Sequence, residues 1–337
     1  VTASAYEPFF GQYNAVARDI DSQLHLLPYY SSVWAAGNDR DDNPALNSQV
    51  ALSPGGTVVD YDPALHPPGD GGYRSGYDNI GFNGIAKNVI TIGAVNDAVT
   101  GGQRDTAKAA MLNFSSWGPA DDGRIKPDLV ANGYVLYSPQ SAGITSYTYS
   151  SGTSMAAPNA TGTAQLLLSL YEKLMPGQYL RASTLKGLLI HTADDLGTPG
   201  PDYQSGWGLI NGKEAAELIF DVATNAAVLR LVEQQLTSSV TIRTHVFAWD
   251  GVSPIRATLC WTDPAGPILT THDSRTATLV NNLNLRIENP NGISYLPFVM
   301  PFVGTWTPAS LSLPATTGTN NTDTVEQVRV ASPTVQG

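Results

Sequence analysis

Apolar positions change their period along this chain, and the change divides it. Val16, Ile20, Leu24 and Leu27 recur at helical spacing, which predicts a helix over 16–27. Ser32 to Ala36 is a short apolar run that closes on Gly37 and Asn38, as a buried strand would. Residues 39–86 carry little periodicity and are rich in Asp, Asn, Pro and Gly, so they are expected to be a surface insertion. Asn88 to Val95 (NVITIGAV) is a β-branched strand, and 113–133 reads as loops around a second, shorter one. Thr153 to Leu174 is a long helix with no polar face until its end, which predicts burial all round. Helices are also expected over Leu180 to Thr192 and Gly212 to Ile219.

From about residue 223 the helical period disappears. Val240 to Phe247, Arg256 to Trp261, Ala277 to Ile287, Ile293 to Val299 and Thr324 to Val330 have strand character, and Asn291-Gly292 is a hairpin signal. The expected fold is therefore α/β with a parallel sheet over 1–222, followed by a β-sandwich or jelly roll over 223–337.

Composition narrows the function. The chain has 337 residues, 42% of them hydrophobic, and a formal net charge of −11, which argues against nucleic-acid binding because phosphate neutralisation needs a basic surface. Cys260 is the single cysteine, so no intrachain disulfide forms, and its apolar setting suits a buried free thiol. No run reaches the ~20 apolar residues that span a bilayer. The sequence has no initiator Met and no signal peptide, as expected for a processed product or a fragment.

The chemistry concentrates in Ser150-Ser-Gly-Thr-Ser-Met-Ala-Ala-Pro158. Ser154 would stand in the first turn of the long helix, where unpaired N–H groups and the helix dipole favour negative charge and an oxyanion is stabilised. As a lone Gly-Thr-Ser the same residues would make an ordinary N-cap. The whole string is far more specific and resembles the nucleophile motif of the subtilisin-like serine peptidases. Further resemblances agree. Ala35-Ala36-Gly37-Asn38 is similar to the segment whose asparagine side chain holds the oxyanion, and Asn88 to Val95, Phe114 to Gly118 and Arg124 to Val130 resemble neighbouring family segments. Asn132 replaces a usual proline, and Asn159 a common histidine.

The resemblance implies a serine endopeptidase without a catalytic cofactor, acting on protein or peptide through a Ser154 acyl-enzyme, with Asn38 and the Ser154 N–H at the oxyanion. Ala35, Ala36, Gly37, Gly152 and Thr153 would line the substrate, and Ser4, Ala5 and Tyr6 align near the strand that walls the S1 pocket. It also implies secretion. In this family the aspartate and histidine motifs precede the oxyanion asparagine, and no residue before Asn38 reads as either. His25, His66, His191, His245 and His272 lack the expected setting, and His191 is expected to be structural. The expectation is a fragment whose base and orienting aspartate lie on a missing N-terminal segment, inactive by itself and lacking the closing strand of its second domain. The rival reading is an inactive subtilase scaffold used for binding or adhesion. An α/β-hydrolase is disfavoured because Ser154 is not in G-x-S-x-G.

Ala257 to Pro264 and Leu279 to Ile287 resemble the jelly-roll domain of some secreted subtilases. Asp263, Asp273 and Asn282 offer oxygens that suit a structural Ca²⁺. An Asp-Pro turn beside a polar strand edge explains the same residues, and the loose spacing favours that plainer reading.

Overall fold

The computed structural model describes residues 10–51, 57–66, 73–225, 230–301, 307–333 and 335–337. Helix α1, Ala15–Leu26, starts where Asn14 Oδ1 accepts the N–H groups of Val16 and Ala17, and it buries Ala17, Asp21 and Leu24. Three strands follow: β1 Val33–Ala35, β2 Ile90–Val95 and β3 Leu129–Asn132. They form a parallel sheet in the order β1-β2-β3, with Val33 opposite Ile90 and Ile92 opposite Leu129. Every residue of β2 is buried, Thr91 and Gly93 included, as in a strand covered on both faces. Leu209 adds one parallel bridge to Val130.

Helix α2, Thr153–Leu174, packs Ala156, Ala157, Ala160, Ala164 and Leu167 into the core formed by Ile90, Ile92, Ala94, Leu129 and Ala131. The expected burial all round does not hold. Asn159, Thr161, Gly162, Gln165 and Ser169 face out, and Leu166 is 73% exposed. The sheet covers one side of the helix, and the small residues on that side set how closely it approaches. Helices α3, Ala182–His191, and α4, Gly212–Thr224, complete the α/β unit.

Asp128 fastens these layers together. Its carboxylate accepts the Thr91 N–H at 2.8 Å and pairs with Lys126 at 2.7 Å and with Lys186 of α3 at 2.8 Å. Both cations hold the Asp128 carboxyl below the usual range despite its burial, and burial lowers Lys126 to about 7.

Residues 39–86 are a surface insertion only in part. A short hairpin pairs Gln49–Ala51 with Val58–Asp60 on the outside, but Tyr77, Ile80, Ile85 and Ala86 are core residues.

The jelly roll expected over 223–337 is not seen among the described residues. The strand Ile255–Cys260 packs beside α3 and pairs antiparallel with a later strand, Val325–Val330. Short pairs join Ile287–Glu288 to Ser294–Tyr295 and Phe298–Val299 to Thr316–Thr317. The first of these closes through Asn291-Gly292, as its turn signal predicts, with Gly292 at φ 77°. The expected strand over Val240 to Phe247 does not form. Ile242 and Val246 are 76% and 93% exposed, so the alternation there has no apolar layer to bury against. The later segments pack on the α/β unit instead. Leu269 enters the cluster of Tyr13, Ala17 and Leu24, and its N–H donates to Tyr13 O at 3.0 Å.

Candidate functional site

The C-terminal end of β1 and the N-terminus of α2 meet at one place. Ala36 continues the sheet by donating its N–H to Ile92 O, and Gly37 then turns the chain out of it. Gly37 has φ 119°, and a Cβ there would lie 2.6 Å from Asp39 Oδ2 and 2.7 Å from Ser116 Oγ, so only glycine fits. Asn38 follows, exposed, with its side chain against the start of α2. Asn38 Oδ1 accepts both the Thr153 N–H and the Thr153 Oγ1 hydroxyl at 2.9 Å, and the Gly37 N–H donates to Thr153 Oγ1 at 3.2 Å.

This bonding fixes the orientation of the carboxamide. A backbone N–H needs an acceptor, so the oxygen faces Thr153 and the Asn38 NH₂ is left as the donor end of the group. Ser154, the next residue, is exposed as the second residue of α2. A residue there has an N–H with no carbonyl partner one turn back in the helix. Gly152 and Thr153 are buried behind it, and the Gly152 N–H donates to Gly133 O at 2.9 Å.

The expected residues Asn38, Ala36, Gly37, Gly152, Thr153 and Ser154 therefore come together, with Ala35 as the last residue of β1. Ser4, Ala5 and Tyr6 lie outside the described residues. Sequence reasoning missed Ser116, whose N–H donates to Gly37 O at 3.0 Å, and Gly133. The Gly133 and Gly152 pair was the readable sign of a close backbone approach. Asp39, beside the site, is raised above the usual carboxylate range by burial and by the charge of Asp42.

His191 is half-buried at the end of α3 with Nδ1 2.9 Å from Thr258 Oγ1, and desolvation with the charges of Arg256 and Arg230 lowers it to about 4. His66 Nδ1 accepts the Asp62 N–H at 2.9 Å.

The three expected calcium ligands have separate partners. Asp263 is fully buried and pairs with Lys87 Nζ at 2.5 Å, while Val280 and Asn281 donate their N–H groups to it. Its charge is already met by an ammonium. Asn282 Nδ2 donates to Asn321 Oδ1. Asp273 groups with Asp78 and Asp121, and one carboxylate oxygen of each lies within 4.8 Å of the others. Among the described residues that trio is the set able to offer several carboxylates to one cation. No helix among the described residues is long and apolar enough to cross a membrane.

Comparison with known proteins identifies the family. A 201-residue stretch is 31% identical to the serine protease/ABC transporter B family protein tagA of Dictyostelium discoideum, covering 52% of this chain and 11% of that protein. A 156-residue stretch is 32% identical to serine protease AprX of Bacillus subtilis, covering 42% of this chain and 33% of the relative. A shorter stretch of 69 residues is 39% identical to an extracellular serine protease of Serratia marcescens, covering 20% of this chain and 6% of that protein. The chain thus spans a third or less of the length of each. The model of the subtilase family matches residues 11–208, a span that holds both Asn38 and Ser154 together with the sheet that joins them. With more than half of its length matched, this chain belongs to the subtilase family of serine peptidases.

Proposed function

We propose that this chain carries the nucleophile and the oxyanion-binding groups of a secreted serine endopeptidase. Ser154 Oγ attacks the peptide carbonyl, and the oxyanion that develops takes hydrogen bonds from the Ser154 N–H and Asn38 Nδ2. The tetrahedral adduct collapses to an acyl-enzyme as the amine leaves, and water then releases the acid. The general base and its orienting aspartate come from sequence outside the described residues. Substrate lies extended along the end of β1, with Ala35 to Gly37 on one side and Gly152 and Thr153 on the other, so that main-chain hydrogen bonds hold it. Secretion is supported by the similarity to the extracellular protease of Serratia marcescens.

The observation that supports this reading is the double hydrogen bond from Thr153 to Asn38 Oδ1, which leaves the amide nitrogen as a donor at the start of the helix that carries Ser154. Fluorophosphonate labelling tests it. The whole protease is expected to react stoichiometrically and its Ser154→Ala variant not at all, while this chain by itself reacts slowly for want of the base. A whole protease labelled at another residue, or not labelled, overturns the reading.

A further inference from the structure

The hairpin that leads into Ser154 turns its largest side chains towards solvent. Strands β4, Leu136–Pro139, and β5, Tyr147–Ser150, pair antiparallel, with Tyr137 opposite Tyr149 and Pro139 opposite Tyr147. Opposed residues share a face, so Tyr137, Pro139, Tyr147 and Tyr149 form one side of the ribbon. Tyr137 is 62% exposed, Tyr147 50% and Tyr149 65%, whereas Leu136 and Ser138 on the other side are half-buried. The rings touch: Tyr137 stacks on Tyr147 at 5.3 Å between centroids and lies 4.9 Å from Tyr149. A run of contiguous exposed aromatic surface is the kind of patch that marks a binding site.

Two features say what it binds. The ribbon is continuous with the candidate site, because the Gly152 N–H donates to Gly133 O at its base and the Val135 N–H donates to Ser151 Oγ at 2.8 Å. The platform is also neutral. No Asp, Glu, Lys or Arg occurs from Leu129 to Tyr171, in a chain whose net charge is −11. A charged segment gains no partner here, while proline and aromatic side chains stack on tyrosine rings and present little competing hydration.

We propose that Tyr137, Tyr147 and Tyr149 are specificity-determining residues that grip an uncharged, extended, proline- or aromatic-rich stretch of polypeptide substrate as it passes Ser154. The inference rests on the peptidase reading above and names the substrate class of that site.

The test measures peptide binding to the full chain bearing Ser154→Ala, by fluorescence polarisation. One probe is a neutral peptide of alternating proline and tyrosine, and a second of equal length alternates lysine and glutamate. The neutral peptide is expected to bind more tightly. Tyr137→Thr or Tyr149→Thr, which keeps strand propensity, weakens it three- to tenfold, and Tyr149→Phe restores most of the loss. Equal binding of the two peptides overturns the proposal, as does unchanged affinity in the threonine variants. Tyrosine-dependent binding to neutral phosphatidylcholine vesicles in place of peptide overturns it too. Failure of labelling in the whole protease, with tyrosine-dependent peptide binding retained, instead removes the peptidase reading.

Discussion

Asn38 and Thr153 share one oxygen: Asn38 Oδ1 accepts from both the backbone N–H and the hydroxyl of Thr153, each at 2.9 Å. The same contact therefore ties β1 to α2 and aims the amide nitrogen. Two substitutions separate these roles. Asn38→Asp keeps the acceptor and loses the donor, so kcat/KM of the whole protease on a peptide amide is expected to fall ~10²–10³-fold while the melting temperature stays close to that of the parent. Asn38→Ala loses both. Its turnover falls as far, and unfolding also becomes easier by about 1 kcal/mol for each hydrogen bond lost. An aspartate variant with near-normal turnover would mean that the oxyanion is held elsewhere.

Lys87 and Asp263, 176 residues apart, form an ion pair with both side chains at 0% exposure. The ammonium also donates to Pro264 O at 2.6 Å and Thr278 O at 2.9 Å, so one cation closes a turn of the later segment onto the α/β unit. Burial lowers Lys87 below the ordinary ammonium range, and the bond to Asp263 opposes that shift. Removing one partner strands the other charge inside the protein. Lys87→Met is expected to cost ~3–5 kcal/mol in urea unfolding. Lys87→Met combined with Asp263→Leu should cost clearly less than the sum of the single changes, since each single variant includes the penalty for the orphaned charge. Additive losses would show that the pair is not coupled.

The sequence was most legible where local pattern and burial coincide. Ile90 to Val95 is apolar at every position except Thr91 and Gly93, and it lies at the centre of the sheet. The Gly152-Thr153-Ser154 string names its own place at a helix start. The part after residue 223 was read less well, because its apolar alternation is local while its burial is set by distant partners. Ile242 and Val246 alternate correctly and face water, whereas Leu269, in a segment with no strand signal, is buried against α1. Asp263 and Asp273 looked alike as oxygen donors. Lys87 takes the first, and the second meets Asp78 and Asp121, whose approach nothing near residue 273 could announce.

Gly133 and Gly162 make a matched pair of predictions for the helix that carries Ser154. A Cβ on Gly133 would lie 2.7 Å from both Ala94 Cβ and Gly152 O and 3.3 Å from Ala156 Cβ, so β3 and the start of α2 would have to separate. Gly133→Ala is expected to lose ~1–3 kcal/mol of stability and to slow Ser154 labelling. Gly162 lies within α2 on its outer face, with nothing inside 4 Å of a Cβ built there. Gly162→Ala should raise stability by ~0.4–1 kcal/mol and leave labelling unchanged. Chemical denaturation of the two variants side by side checks both signs.

Glu326 gives the chain a pH dependence with a defined sign. It is fully buried in the Val325–Val330 strand, with Oε2 accepting the Leu285 N–H and Oε1 without a hydrogen-bond partner among the described residues. Burial pushes its carboxyl from an ordinary 4.5 up to about 7; the Leu285 bond opposes this, and the charge of Asp323 adds to it. The folded chain then binds this proton more tightly than the unfolded chain does. Its contribution is therefore undiminished below pH 4.5, declines as pH rises to about 7, and is level above that. Burial raises Asp323 to about 6, which acts in the same direction, so the parent's own profile mixes the two groups. Glu326→Gln isolates one of them, because an amide can accept the Leu285 N–H and carries no charge at any pH. The unfolding midpoint of the variant minus that of the parent is expected to rise between pH 4.5 and 7 and to hold constant from 7 to 9. A difference that stays flat through the lower window would mean that Glu326 ionises in the folded chain as readily as in the unfolded one.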